Sequence, residues 1–325
     1  MRKTHTVCLL VLMLAMPMGV SAQDAAPVEN QVVAAPVAQV EPAEPVFDNP
    51  AKQFDVWLSK IDLKKEPVAL LPTMQLRWAV RNKVAETGGA FSKTVSSKEI
   101  VAPVDQAVLQ RVLISLQDDL AARFKAGGWQ VATREDLGGG PELKALRVDA
   151  AQGMPMFTYK EDGIHDQDFV AVALPGAQPI DNNVRNFTNA LNLMKYMNGK
   201  TGIHINVVYS FAPGTVAVNK SRMLGTNAGS GLWFGGHAAL TSGARGIGSV
   251  GTKPEGLVIG PEIGIITEIP GSKASVGGNV LRYMVGAATL DTTRYTMDPD
   301  WAKAEAAMLR AGKAFNAELV ARMVN

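Results

Sequence analysis

The sequence predicts an α+β or α/β fold, one mixed sheet with amphipathic helices packed against it. Three stretches carry that expectation. Within residues 105–137, Val108, Leu109, Val112, Leu113, Leu116, Leu120 and Phe124 recur at steps of three and four, which puts them on one face of a helix. Residues 169–174 form an uninterrupted apolar run, as in a central strand buried on both faces. Near the end, Trp301, Ala304, Met308, Ala311, Phe315, Leu319 and Met323 make a second helical stripe.

In chain order, residues 1–22 read as a secretory leader. Arg2 and Lys3 are followed by an apolar run, and Val20-Ser21-Ala22 offers small residues for cleavage before Gln23. The run is too short to span a bilayer as a helix. Cys8, the only cysteine, lies inside it, so the exported chain would have neither disulfide nor thiol chemistry. The expected location is periplasmic, with outer-membrane association open. Loss of Arg2 and Lys3 lowers the 32 basic residues to 30, equal to the 30 acidic ones. That balance gives no electrostatic case for nucleic acid or for an anionic membrane surface. Residues 23–50 are rich in Ala, Pro, Val and Glu and read as a disordered tether, dispensable for folding. A partner-docking segment is the alternative there.

The globular region is expected over residues 51–325. Residues 54–63 suggest a short helix. Met74, Leu76, Trp78 and Val80 alternate with polar or small residues, the period of a half-buried strand. Thr87-Gly88-Gly89 marks a turn, and residues 91–101 read as extended. Asp105 is the expected N-cap of the first long helix, and Gly127-Gly128 its stop. A short strand from Trp129 to Val131 follows, and residues 141–146 suggest a short helix. Val184, Phe187, Leu191 and Met194 form a stripe that Gly199 ends. Residues 203–211 and 215–219 read as a hairpin around Pro213-Gly214. Residues 224–260 are a glycine-rich insertion, expected as short strands and tight turns. Strand material follows at 257–269 and 280–290. Asp298 with Pro299 is the expected start of the last helix.

The stretch DDLAARFKAGGWQVATREDLGGGPELKALR resembles a segment of periplasmic proteins related to the curli-secretion channel (CsgG) and the amino-terminal domain of TolB. The matching residues are Leu120, Phe124, Gly128, Trp129, Val131, Arg134, Glu135 and Leu137, with the strand at 169–174 placed where those families return to the sheet. The curli channel is a lipoprotein, whereas Cys8 has no lipid-attachment context, and the glycine-rich region has no counterpart there. The resemblance implies a periplasmic α/β assembly module rather than a particular pore.

Candidate chemistry is scattered. Gly246-Ile247-Gly248-Ser249-Val250-Gly251 has dinucleotide-binding spacing, but Pro254 and Gly256 block the helix that must follow, so a flexible glycine loop is expected. Ser230 misses the nucleophile-elbow pattern because Ala228 and Leu232 stand at the glycine positions; His237 could serve it as a base. Asp162, His165, Asp166 and Asp168 have metal-ligating chemistry without calcium-loop spacing. His204 falls in a strand and reads as structural. Two Asn-x-Ser/Thr triplets, at Asn186 and Asn219, carry no function in a bacterial-looking precursor. Leu232, Trp233 and Phe234 sit in a nearly uncharged stretch and are the candidate interface residues. The expectation is therefore a non-catalytic envelope protein, without cofactor, that assembles with itself or with another envelope protein. A periplasmic hydrolase or a small-ligand-binding protein is the alternative.

Overall fold

The computed structural model describes residues 46–87, 94–137, 143, 155–161, 165–180, 187–217, 227–243, 246–253, 257–259, 262–270 and 289–324. The expected leader, the tether up to residue 45, the Gly88-Gly89 turn, Val184, and residues 280–288 lie outside the described residues, as does all but Leu143 of the helix expected at 141–146.

The predicted class is what the chain adopts: a large mixed sheet with helices on it. Its main path runs from β1 (Phe54–Ser59) through β10 (Ile247–Thr252), β9 (Asn227–Ser242), β8 (Ile203–Ala217), β3 (Met74–Thr87), β4 (Thr94–Val101) and β13 (Thr289–Pro299) to β12 (Gly264–Glu268). Off this path, β2 (Val68–Leu71) pairs with β8 and with β5 (Gln130–Thr133). β7 (His165–Ala173) lies between β3 and β6 (Pro155–Glu161), and β11 (Leu257–Ile259) borders β9. β3 runs parallel to β8, β4 to β13, and β2 to both its neighbours; the remaining pairs are antiparallel. The far end curls back on itself: Ile263 N–H donates to the Ser230 carbonyl at 2.9 Å, and Asp300 N–H donates to the Ile263 carbonyl at 2.8 Å.

One face is covered by α2 (Gln106–Ala126) and α5 (Trp301–Val324). Both stripes read from the sequence face the core, although Trp301, at the start of the second, is only partly buried. The α2 stripe carries all seven expected residues, plus Ala121. Asp105 caps α2, its carboxylate accepting from the Ala107 and Val108 amides at 3.0 and 3.1 Å. The other face is partly covered by α3 (Arg134–Leu137) and α4 (Phe187–Met197) over a smaller cluster of Leu70, Leu143, Ile180, Tyr196 and Met197. The run at 169–174 is buried throughout, so β7 is the two-sided strand its composition predicts. β3 is covered on both faces too, with Gln75 buried beside Met74 and Leu76 and its amide bonded to both the N–H and the carbonyl of Ile180.

Several local expectations are corrected. Residues 54–59 are strand rather than helix, because pairing with β10 outweighs a weak local preference. Among the described residues, helix precedes them only as α1 (Pro50–Gln53), capped by Asn49. The tether ends earlier than residue 50: Phe47 is buried and packs edge-on against Phe54 at 4.9 Å. Pro213-Gly214 is not a hairpin turn. β8 passes straight through, with a register shift against β9 between Pro213 and Thr215, and Gly214 takes φ 78°. The glycine-rich segment is no insertion. β9 pairs with β8 along nearly its whole length, and the expected glycine loop at 246–251 is largely the strand β10. A Cβ at Gly236 would lie 2.5 Å from the Phe315 ring, so this glycine lets α5 sit down on β9. Among the described side chains of α4, Tyr196 and Met197 are buried, while Leu191 faces solvent; the side chain of Phe187 lies outside the described residues. Asp300, not Asp298, caps α5, because β13 continues in ladder with β12 as far as Pro299.

Candidate functional site

The expected interface triplet is largely internal. Leu232 and Phe234 are fully buried; Phe234 packs on Phe211 at 5.0 Å and edge-on to Phe315 at 6.2 Å. Both side chains belong to the hydrophobic core rather than to an exposed surface. Trp233 points to the opposite face and is half-buried against Ala79, Phe169 and Ala212.

The hydrolase pair is not assembled. Ser230 and His237 lie on the same strand, β9, seven residues apart. At ~3.3 Å per strand residue their backbones are about 23 Å apart. That is far beyond the hydrogen-bond reach a nucleophile and its base need.

Of the metal candidates, Asp162 lies outside the described residues, as do the side chains of His165 and Asp166, whose backbones open β7. Asp168 accepts from Arg81 Nε at 2.5 Å across the β3–β7 pair, so its charge is already engaged by a cation. Among the described residues no group of three or more His, Cys, Asp or Glu is placed to hold a metal ion. His204 is buried. Its Nε2 lies 3.2 Å from the Thr73 hydroxyl, and its Nδ1 has no hydrogen-bond partner among the described residues. Burial pushes its pKa down from 6.5 to about 4, so it is a neutral core imidazole, as its strand position suggested. A shallow groove of about 310 Å³ between the ends of α2 and α5 is walled mainly by Ala126, Ala317, Val320, Ala321 and Val324. Its one charged group, Arg123, donates to Asp119 at 2.8 Å.

What the sequence reading missed is the edge strand β1. Its fixed end is well anchored. Phe54 stacks on Phe315 at 5.7 Å, the Arg322 guanidinium lies 4.6 Å over the Phe54 ring, and Arg322 donates to the Pro50 carbonyl at 3.1 Å. From that anchor β1 runs along β10, and among the described residues no strand pairs with its other edge. Val56, Trp57 and Leu58 are 47%, 54% and 37% exposed, and Ile247 on β10 adjoins them at 37%. Three consecutive exposed large apolar residues on an open edge are unusual, since open edges are normally blunted by charge, proline or a covering element. The alternation of Phe54, Val56 and Leu58 with Asp55 and Ser59 was the available signal. The aromatic and β-branched residues there also favour strand over helix.

Comparison with protein-family models, with characterised proteins and with solved structures finds no match.

Proposed function

We propose that this chain is a non-catalytic component of the bacterial cell envelope, exported to the periplasm and possessing the option of outer-membrane association, that works through protein–protein contact. The open apolar edge of β1 carries this reading, because strand addition at such an edge supplies main-chain affinity and side-chain specificity together. The leader-like residues 1–22 and the resemblance of residues 118–147 to curli-channel and TolB modules support the location and the assembly role. The wide separation of Ser230 from His237 weighs against the serine form of the hydrolase alternative; its other form, on the cluster at residues 162–168, falls largely outside the described residues.

The test is site-specific photocrosslinking in intact bacteria, with the crosslinking residue at Trp57 or, as a control, at Ile114 on α2, itself 37% exposed. The expected result is protein adducts from position 57 in the envelope fraction and none from position 114. Recovery of the chain in the cytosol, or no adduct from position 57, would contradict the reading.

A further inference from the structure

We propose that the partner at this edge is a second copy of the chain, whose β1 adds antiparallel with Trp57 opposite its own counterpart. This rests on the contact reading above and names the occupant. The first argument is the direction of the free backbone groups. Lys253 N–H donates to the Gln53 carbonyl at 2.9 Å, and the β1–β10 register continues from there with Phe54 opposite Thr252. Alternation in an antiparallel ladder then turns the N–H and C=O of Asp55, Trp57 and Ser59 toward β10. It leaves those of Val56 and Leu58 aimed outward.

The second argument is shape. A two-fold axis perpendicular to the sheet pairs antiparallel edges and keeps each face on its own side, so residues of like parity meet. Centring the axis on Trp57 sets Val56 opposite Leu58 of the second copy, and these two have the outward groups needed to exchange hydrogen bonds. The apolar side chains then meet one another on both faces: Val56 with Leu58 on the face that carries Phe54, and Trp57 with its counterpart on the other.

The third argument is charge, and it selects the occupant. Asp55 stands at the start of the exposed run and Lys60 just past its end. Neither has an ion-pair partner among the described residues. Antiparallel pairing sets Asp55 of each copy opposite Ser59 of the other, one residue from Lys60, which lies past the strand end with φ 59° and so outside its side-to-side alternation; the diagonal approach occurs twice by symmetry, whereas parallel pairing would set like charges together. The segment at 23–45 of the same chain is the rival occupant. Its charged residues are Asp24, Glu29, Glu41 and Glu44, with no lysine or arginine to meet Asp55.

Sedimentation equilibrium of the purified chain is expected to show a monomer–dimer equilibrium. Asp55→Lys should weaken it by roughly tenfold, since two attractive pairs become repulsive, and adding Lys60→Asp should restore it. Val56→Pro should abolish dimerisation with an unchanged circular dichroism spectrum, because the Val56 amide is not used against β10. Trp57→Cys in a Cys8→Ser background should oxidise to a linked dimer more readily than Val56→Cys, since only position 57 lies on the axis. A monomer at all concentrations, or a dimer indifferent to both charge variants and to oxidation at position 57, would overturn the pairing. Dimerisation only after deletion of residues 23–45 would also overturn it, by assigning the edge to that segment. A monomer that still gives adducts with a different envelope protein from position 57 would end self-pairing and leave the contact reading standing.

Discussion

At the scale of single residues, His204 and Phe47 show what burial does in opposite settings. The native imidazole of His204 is held neutral because its enclosed site disfavours charge. Its folded pKa is about 4 against 6.5 unfolded, so the linked stability is fully present above pH 6.5 and is lost as pH falls toward 4, where only the unfolded chain takes up the proton. The whole loss amounts to about 3 kcal/mol at ~1.4 kcal/mol per unit. Urea unfolding at pH 7.5 and pH 4.5 is expected to show a larger acid loss for the wild type than for His204→Gln, by roughly 2–3 kcal/mol. Equal losses would place the proton-linked cost elsewhere. Phe47 is a plain apolar anchor, edge-on to Phe54. A chain beginning at Ala51 loses it, together with the Asn49 cap and the Pro50 carbonyl that Arg322 binds. It is expected to be less stable by about 3–5 kcal/mol, the scale of deleting a buried aromatic, while a chain beginning at Pro45 should melt as the full chain does. An unchanged melting temperature for the shorter chain would show that Phe47 contributes nothing.

At the scale of elements, α2 and α5 are bound to the sheet by one buried polar chain as well as by their apolar stripes. Tyr209 on β8 donates to Asn316 Oδ1 at 2.7 Å; Asn316 Nδ2 donates to the Leu116 carbonyl and to Asp119 Oδ2, both at 3.0 Å. Arg123 closes the chain on Asp119. Asn316→Ala leaves the buried Tyr209 phenol without its acceptor, while the Leu116 carbonyl keeps its intrahelical bond, and is expected to cost about 1–3 kcal/mol. A cost below about 0.5 kcal/mol in equilibrium unfolding would mean that water replaces the amide. The stripes of these helices were legible because their period is local, and so was the Asp105 cap. Asn316 was not, since nothing in its neighbours marks it as the link to Tyr209, over a hundred residues away. The same distinction explains the misread elements. β1 is a strand because of β10, Pro213-Gly214 is carried straight by β9, and the start of α5 is set by the reach of the β12–β13 ladder. Leu232 and Phe234 looked like interface residues because an apolar, glycine-rich stretch reads the same in a core strand as in a contact surface. Only the register with β8 decides which it is.

At the scale of the whole molecule, helices cover one face of the sheet, the far end curls back through Ile263 and Asp300, and β1 lies at the outer end of the strand path with its apolar residues in solvent. No helix among the described residues is long and apolar enough to cross a membrane. The proposed contact therefore has its clearest seat at β1, and its two free amides report on it directly. Hydrogen exchange of the Val56 and Leu58 amides, followed residue by residue at low and high protein concentration, tests the central claim with an internal control in Trp57, whose amide faces β10. The expected result is fast exchange of Val56 and Leu58 in dilute protein, strong protection in concentrated protein, and steady protection of Trp57 in both. Val56 and Leu58 amides that exchange fast at every concentration would contradict strand addition by a second copy at this edge.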